Sequence, residues 1–337
     1  MVMKITESTT LGEIYNLPCL SESKDYLIGG GSYLFQASAD ATLTRVQKRM
    51  PTWYAGDMAY GLNRLTEIAE SGKQYLFPVY SEQEMRDDPG KKDVRLFCFP
   101  GTNREGRYAI LLSGGAYEAV CSIAESFPVA TKLNEHGITV FCLNYRIHKP
   151  GMDCLLPKPM DDLAAAWRFL RAHASEFGIV PENYAVGGFS AGGHVAAEWG
   201  TDNKGARKYG IPQPEMLLLG YPMITTERMR EETTREFWVH FLEVMFGPKY
   251  DRRIEAEYSV DLHVDDKYPA TYIVQSKNDA DLPFWNLSVM KKALENAGVT
   301  YRAEVSVDGG HGFGLGSATD IAGWIDRAAE FWSGIQK

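Results

Sequence analysis

One stretch of the chain decides the fold, and it reads YAVGGFSAGGHVAA over residues 184–197. Apolar residues typical of a strand come first, a glycine-rich turn follows, and a run of small residues typical of a helix ends the stretch. The turn is Gly188-Phe189-Ser190-Ala191-Gly192, which matches the pattern G-x-S-x-G. In that pattern a sharp strand-to-helix turn exposes the serine hydroxyl, and small flanking residues allow the close backbone approach. We therefore predict that Ser190 is a nucleophile.

The same stretch has one structural alternative, a glycine-rich turn in a nucleotide-binding fold. That alternative needs a G-x-G-x-x-G pattern or a P-loop lysine, and neither accompanies the turn. The nucleophile is therefore the favoured interpretation.

Short apolar runs alternate with helical patterns on both sides of the turn, from Val94 onward. The predicted strands are residues 94–99, 108–112, 139–145, 184–187, 216–221, 271–275 and 301–307. Several are continuously apolar, as expected when helices cover both faces of a parallel sheet. The clearest predicted helix spans residues 160–177, with an apolar face at helical spacing. The alternation predicts an α/β fold with a doubly wound, mostly parallel sheet, whose catalytic loops follow the carboxyl ends of the strands.

Two segments depart from this alternation. Residues 1–92 contain a glycine run (Gly29-Gly30-Gly31), a predicted helix over 57–71 and a predicted strand over 75–80. We interpret them as an N-terminal extension that covers the site, pairs with another subunit or caps the sheet, and residues 93–337 as the catalytic domain. Residues 224–265 insert a charged and aromatic stretch between two strands, which is typical either of a small lid or of a surface helix packed on the body.

A serine hydroxyl is a weak nucleophile at neutral pH and needs a base with an orienting carboxylate. For this turn the expected chain order is serine, acid, histidine. His311 lies in a glycine-rich loop after the last predicted strand and is the expected base, whereas His194, on the helix after Ser190, is interpreted as structural. Asp279 and Asp281 both follow the preceding strand; we favour Asp279 as the acid and keep Asp281 as the alternative.

The segment after the predicted strand 108–112 supplies the remaining part of a site, and it reads SGGAY over residues 113–117. A tetrahedral intermediate needs preorganised N–H donors, and the loss of one costs on the order of 3 kcal/mol. Small residues in this turn let the backbone present such donors. The predicted oxyanion donors are the backbone amides of Gly115, Ala116 and Ala191.

Composition excludes several classes of function. The net charge is −9, from 44 acidic and 35 basic residues, which disfavours nucleic acid and anionic membranes as partners. The five cysteines are odd in number and form no C-x-x-C pair, so neither disulfides nor a metal site is expected, and nothing suggests a cofactor. The N-terminus has no apolar signal region and no apolar run is long enough to span a bilayer, which favours a cytoplasmic location.

Together these motifs resemble the acetyl-esterase branch of the α/β-hydrolases, a branch close to the hormone-sensitive-lipase-like esterases that includes acetylxylan esterase-like carbohydrate esterases. The resemblance covers about residues 96–332. It rests on the order and spacing of SGGAY (113–117), NYR (144–146), the helix with Asp161-Asp162, GFSAGGH (188–194), DADLP (279–283) and HGF (311–313). It supports Ser190, Asp279, His311 and Gly115 in the roles given above. One departure is that Ser113 and Ala116 replace the histidine and the third glycine of the lipase-like His-Gly-Gly-Gly pattern.

The resemblance implies a serine esterase that releases a short acyl group, acetyl in particular, from a carbohydrate such as an acetylated oligosaccharide. Tyr117 is a candidate wall of the acyl pocket, and Trp285 and Trp238 are candidates to stack on sugar rings, although all three residues are equally typical of core packing. One alternative is an amide or formamide hydrolase that uses the same triad. The His-Gly-Gly-Tyr-Trp pattern of arylformamidases is absent, however, and residues 1–92 are too few for a peptidase propeller. A second alternative is a binding protein of the same fold that has lost its chemistry.

Overall fold

The computed structural model describes residues 3–28, 37–102, 105–228 and 236–335, so the run Gly29-Gly30-Gly31 and part of the inserted segment 224–265 lie outside the described residues. The strands are β1 (Leu76–Pro78), β2 (Arg95–Phe99), β3 (Tyr108–Leu112), β4 (Thr139–Asn144), β5 (Tyr184–Phe189), β6 (Met216–Gly220), β7 (Ala270–Ser276) and β8 (Tyr301–Ser306). The helices are α1 (Leu11–Tyr15), α2 (Leu43–Arg49), α3 (Ala55–Glu70), α4 (Glu82–Asp87), α5 (Ser126–Glu135), α6 (Lys158–Ala172), α7 (Ala174–Phe177), α8 (Ser190–Trp199), α9 (Glu236–Phe246), α10 (Arg252–Glu257), α11 (Trp285–Ala297) and α12 (Trp324–Ser333).

The described strands form one eight-stranded sheet in the order β1-β2-β4-β3-β5-β6-β7-β8. β1 and β2 pair antiparallel with each other, and β2 pairs antiparallel with β4, whereas all pairs from β4 to β8 are parallel. The predicted mostly parallel α/β sheet is confirmed. Each strand predicted from residue 94 onward is present with its bounds shifted by at most two residues, which is the usual uncertainty at the ends of elements.

Helices cover both faces of the sheet, and alternate residues of each strand enter two separate clusters of buried side chains. Ile110 and Leu112 of β3 belong to one cluster, with residues of α6, α8 and α11. Ala109 and Leu111 belong to the other, with residues of α1, α2, α3, α5 and α12. This alternation follows from the two-residue period of a strand, and it explains why the central strands are apolar throughout.

Residues 1–92 take part in the second of these clusters. α3 buries Met58, Leu62 and Leu65 in the same cluster as Phe127 of α5 and Trp324 of α12, and β1 adds a strand to the edge of the sheet. The helix predicted over 57–71 is therefore present as α3. The division of the chain at residue 92 stays a prediction, because the segment shares its buried side chains with the rest of the fold.

The carboxyl ends of β3, β5, β7 and β8 lie at the same edge of the sheet, because these strands run parallel. The loops that follow them carry the predicted oxyanion turn, nucleophile, acid and base, in that order. Ligands of open α/β sheets bind outside this edge. Among the described residues, no helix is both long and apolar enough to cross a membrane.

The contact between α3 and α5 has no room for a side chain at Gly61. A Cβ atom there would lie 2.6 Å from the backbone nitrogen of Pro128. We expect Gly61→Ala to lower the free energy of unfolding by about 1–3 kcal/mol because α3 must move away from α5. Gly56→Ala in the same helix meets only the carboxylate tip of Glu7, and should leave stability unchanged or raise it by up to about 1 kcal/mol. Urea unfolding measures both, and equal midpoints for the two variants would contradict this packing.

Candidate active site

Ser190 is the first residue of α8 and directly follows Phe189, the last residue of β5. Its φ angle is 52°, in the left-handed region that non-glycine residues rarely adopt and that recurs at functional sites. A side chain at Gly188 would collide with the carbonyl group of Gly192, and one at Gly192 would collide with the carbonyl group of Leu112. The turn is therefore as sharp as the G-x-S-x-G pattern predicts, and it requires glycine at both flanking positions.

The predicted nucleophile, base and acid form one hydrogen-bonded line. Ser190 Oγ lies 2.8 Å from His311 Nε2, and His311 Nδ1 lies 2.8 Å from Asp279 Oδ2. The carboxylate side chain of Asp279 is fully buried and the imidazole is 16% exposed. With Nδ1–H donating to the carboxylate, Nε2 is free to accept the serine proton, which is the geometry of a catalytic triad.

The choice between Asp279 and Asp281 follows from the loop after β7. Asp279 Oδ1 accepts hydrogen bonds from the backbone N–H groups of Asp281 at 3.0 Å and Leu282 at 2.7 Å. Its Oδ2 also accepts one from Gln275 Nε2 at 2.8 Å. These donors hold the Asp279 carboxylate in position toward His311. Asp281 contributes its backbone to this arrangement, and its exposed side chain lines the cavity beside the site.

The electrostatics of the loop favour a protonated imidazole. Burial lowers the pKa of His311, but the hydrogen bond that the imidazole donates to Asp279 and the charge of that carboxylate outweigh burial. The charges of Asp281 and Glu125 act in the same direction, so the pKa of His311 is raised above its ordinary value. The interactions that raise this pKa stabilise the imidazolium that forms when the base takes a proton.

The turn after β3 has the backbone conformation of a donor site. Gly115, Ala116 and Tyr117 have φ angles of 133°, 52° and 62°, three consecutive left-handed residues. Within the described ranges, the backbone amides of Gly115, Ala116 and Ala191 donate no hydrogen bond. All three residues line the cavity beside Ser190, so their amides are available to an oxyanion.

The cavity has a volume of about 270 Å³. Its wall is formed by three parts of the chain: the catalytic loops, the N-terminal segment and the inserted segment. The lining residues are Met50, Trp53, Gly115, Ala116, Cys121, Glu125, Ser190, Ala191, Met223, Trp238, Phe241, Asp281, Leu282, His311 and Gly312. Among the residues described, no group of three or more His, Cys, Asp or Glu side chains is placed to hold a metal ion.

The N-terminal segment lines the cavity and also contacts the loop that carries His311. Thr52 donates a hydrogen bond from its hydroxyl to the backbone oxygen of His311 at 2.5 Å. A Cβ atom at Gly312 would lie 3.3 Å from Trp53 Nε1, so the base loop and this segment are in close contact. Of the three roles considered for residues 1–92, the structure supplies contacts for two: Thr52 and Trp53 cover the site, and β1 caps the edge of the sheet.

The inserted segment places α9 against the body. Trp238 and Phe241 of α9 are each 5% exposed and line the cavity, and the backbone oxygens of Val244 and Met245 accept hydrogen bonds from Leu155 and Leu156. α9 is therefore packed on the body and also forms part of the cavity wall. Its movement as a lid stays a prediction.

Glu125 and Tyr221 are residues of the site that the sequence patterns do not reveal. The Glu125 carboxylate is buried next to the oxyanion turn and accepts hydrogen bonds from Gly114 N at 2.5 Å and Tyr221 Oη at 3.0 Å. Burial raises the pKa of Glu125 to about 7, against these hydrogen bonds, which lower it. Glu125 is a single charge in an otherwise uncharged stretch, residues 119–131, and that is the only sequence signal it leaves.

The structure places Tyr117 away from the cavity. Its side chain is fully buried behind the turn, with its hydroxyl 2.7 Å from Nδ1 of His194. His194 Nε2 donates to the backbone oxygen of Tyr258 at 2.8 Å, so Nδ1 accepts from Tyr117. Burial lowers the pKa of His194 to about 4 and keeps the ring neutral. The structural interpretation of His194 agrees with these contacts, and the proposed wall position of Tyr117 does not.

Trp285 is also absent from the cavity wall as described. It lies at the start of α11, and the Arg228 guanidinium covers its ring at 4.9 Å from the ring centre. Of the two tryptophans considered for sugar stacking, only Trp238 lines the cavity.

The fold is shared with solved structures. The chain matches the crystal structure of the acetyl ester-xyloside bifunctional hydrolase from Caldicellulosiruptor lactoaceticus with a TM-score of 0.65 and 26% sequence identity. The match covers 77% of this chain and 96% of that structure. The α/β-hydrolase fold is thereby confirmed.

Two named relatives are similar in sequence. The acetylxylan esterase of Xylanibacter ruminicola is 28% identical over 274 residues, which is 77% of this chain and 52% of that protein. The endo-1,4-beta-xylanase B of Butyrivibrio fibrisolvens is 25% identical over 221 residues, which is 64% of this chain and 34% of that protein. The chain thus spans about half of the first relative and a third of the second.

The resemblance to acetylxylan esterase-like α/β-hydrolases, inferred above from six short motifs, is confirmed by these matches. The BD-FAE family model matches residues 97–294, more than half of the 337 residues, and the chain therefore belongs to the BD-FAE family.

Proposed function

We propose that the chain is a serine esterase that releases short acyl groups, acetyl in particular, from an acylated carbohydrate through an acyl-enzyme intermediate. The observation that carries the proposal is the hydrogen-bonded line from Ser190 through His311 to Asp279, which opens on a cavity beside three unpaired backbone amides. Acyl transfer needs a nucleophile, a base and oxyanion donors in this arrangement, and all of them are present.

In the proposed mechanism Ser190 Oγ attacks the acyl carbonyl carbon while His311 Nε2 takes the hydroxyl proton. The negative charge that develops on the carbonyl oxygen is stabilised by the amides of Gly115, Ala116 and Ala191. The intermediate collapses when His311 returns the proton to the departing alcohol, which leaves the acyl group on the serine. A water molecule then gives a proton to His311 and attacks the acyl group, and the second collapse releases the acid and restores Ser190.

Charge and size of the cavity support a neutral, short acyl group. No lysine or arginine is among the described lining residues, whereas Glu125 and Asp281 are, so an acyl group that carries its own carboxylate is disfavoured. The volume of about 270 Å³ lies just below the usual range for ligand sites, roughly 300–1,000 Å³. The names of the relatives, an acetylxylan esterase and an acetyl ester-xyloside bifunctional hydrolase, support acetyl as the group and a sugar as the alcohol.

A panel of three substrates tests the proposal: p-nitrophenyl acetate, acetylated xylo-oligosaccharides and N-formylkynurenine. We expect acetate to be released from the first two and no turnover of the third. Turnover of N-formylkynurenine alone would support the amide hydrolase instead, and no acetate release from either ester would refute the esterase.

The identity of the acid can be tested by a matched pair of variants. We expect Asp279→Asn to lower kcat on the order of 10³-fold or more because His311 loses the partner that orients it, whereas Asp281→Asn should lower kcat by less than about tenfold. Steady-state kinetics with p-nitrophenyl acetate measures both variants, with Ser190→Ala as the inactive reference. Equal losses in the two variants would contradict the assignment.

The pH dependence of kcat/KM should report the raised pKa of His311. The base accepts a proton only when it is neutral, so activity falls as the pH decreases through this pKa. Because the pKa is raised, we expect the midpoint of the acid limb to lie above histidine's ordinary value of about 6.5. In Asp279→Asn the residual activity should have its midpoint at lower pH. An acid limb centred below pH 6 in the unmodified protein would contradict the described hydrogen bond.

The contribution of the N-terminal segment to substrate choice can be tested at Trp53. Removing its side chain enlarges the cavity, so we expect Trp53→Ala to raise the ratio of kcat/KM for p-nitrophenyl butyrate to that for the acetate by about tenfold. Trp285→Ala removes a tryptophan that does not line the described cavity, and should leave this ratio unchanged. An unchanged ratio in both variants would show that Trp53 does not limit the length of the acyl group.

A further inference from the structure

Glu125 is a buried carboxyl group that the proposed triad does not use. It immediately precedes α5, is 3% exposed and lines the cavity. Within the described part of the chain no lysine or arginine pairs with it, so no cation offsets its burial. A buried carboxyl without a cation is costly to keep, unless hydrogen bonds satisfy both of its oxygens.

Both carboxyl oxygens accept a hydrogen bond, and each bond leads to a different catalytic segment. Oε2 accepts from the backbone N–H of Gly114, the residue before the first predicted oxyanion donor, at 2.5 Å. Oε1 accepts from the hydroxyl of Tyr221 at 3.0 Å, and the same hydroxyl accepts from the backbone N–H of Gly314 at 2.9 Å. Gly314 belongs to the loop of His311, so one carboxyl group links the oxyanion turn to the base loop.

Tyr221 strengthens this link by its own placement. It follows β6 with a φ angle of 35°, and it is completely buried. Its ring meets His311 edge-on at 5.0 Å and Phe313 at 4.6 Å between ring centres. The side chain therefore fixes the base loop by packing as well as by its hydroxyl.

We propose that Glu125, in its ionised form, is a positioning residue that holds the oxyanion turn through Gly114 and the His311 loop through Tyr221. This inference rests on the proposed function, since it concerns how the oxyanion turn and the base are positioned relative to the same nucleophile. Glu125 takes no part in proton transfer to the substrate; it sets the distances between the groups that do.

The direction of the hydrogen bonds explains why the ionised form is required. The Gly114 amide and the Tyr221 hydroxyl both donate toward the carboxyl group, so both oxygens must accept. A protonated carboxyl has one oxygen that must donate instead. On the Gly114 side that oxygen meets an N–H donor, and on the Tyr221 side it forces the hydroxyl to accept, so that the Tyr221 O–H loses the acceptor that it has in the ionised form. The amide of a glutamine also has one acceptor and one donor, and it keeps them at every pH. Glu125→Gln therefore mimics the protonated state of Glu125 at every pH.

The ionisation equilibrium of Glu125 falls in the working range of an esterase. Burial raises its pKa to about 7, while the bonds from Gly114 and Tyr221 and the nearby His311 lower it. Among the described residues, the other titratable groups that face it are Tyr145, directly after β4, and Cys121. Burial raises the pKa of each well above its ordinary value, and the charge of Glu125 adds to that. Both groups are therefore neutral across this range, and only Glu125 and His311 change charge.

The rate at which a fluorophosphonate probe labels Ser190 tests the inference without any ester substrate. This reaction uses the nucleophile, the base and the oxyanion donors alone. We expect Glu125→Gln to be labelled about tenfold more slowly than the unmodified protein at pH 8, because the two segments lose their common anchor. As the pH falls to 5.5, Glu125 itself becomes protonated, so the two rates should converge to within about twofold.

Two further variants complete the design. Glu198→Gln changes another fully buried glutamate, whose oxygens have no hydrogen-bond partner among the described residues and whose pKa burial raises to about 8. Because Glu198 is largely protonated near neutral pH, this variant should be labelled at the unmodified rate at every pH.

Tyr221→Phe keeps the hydrogen bond from Gly114 to Glu125 but removes a hydroxyl donor that favours the ionised carboxylate. We expect slower labelling and a decline with acidity that begins at higher pH than in the unmodified protein.

The outcomes separate this inference from the proposed function. Slower labelling of Glu125→Gln at pH 8 with convergence at pH 5.5 supports it, even if the unmodified protein hydrolyses none of the esters in the panel, a result that would count against the function alone. Unchanged labelling of Glu125→Gln, or slowing by one constant factor at all pH values, overturns it because a residue that merely fills space has no such pH signature. If Glu125→Gln does not fold, Tyr221→Phe decides by the same criteria.

Discussion

The left-handed backbone at Ser190 is the constraint on which the rest of the site depends. β5 ends and α8 begins without an intervening loop, so the serine side chain is presented at the edge of the sheet by backbone geometry alone. That position is fixed by the sheet and cannot adjust to its partners. The base, on a loop after β8, and the oxyanion turn, after β3, must therefore be brought to the serine by contacts of their own.

Those contacts decide how much of the molecule could be predicted from the sequence. The G-x-S-x-G turn and the strands could be predicted, because each depends on residues that are close in the chain. The acid of the triad could be narrowed to two candidates in one loop. Glu125 and Thr52 could not, because their partners Tyr221 and His311 lie 96 and 259 residues away. For Tyr117 the sequence leaves the cavity wall and core packing equally open, because it does not show that three consecutive left-handed residues turn its ring into the core.

The charges around the site follow a single pattern. Asp279, Asp281 and Glu125 all act to raise the pKa of His311, and the described cavity wall has no lysine or arginine to oppose them. Protonation of His311 adds the cation that these carboxylates favour, and in the proposed mechanism it occurs when the base takes the proton of Ser190. The surroundings thus favour the charge distribution of the transition state over that of the resting site, which is the sense in which electrostatic preorganisation promotes a reaction.

The hydrogen bond from Thr52 to His311 joins two residues that lie 259 positions apart in the chain. The family match, over residues 97–294, includes neither end of this bond. During synthesis Ser190 is added 121 residues before His311, so a nascent chain carries the predicted nucleophile well before it carries the predicted base. A chain truncated between these two residues would keep the G-x-S-x-G turn but lack the imidazole that is proposed to activate it.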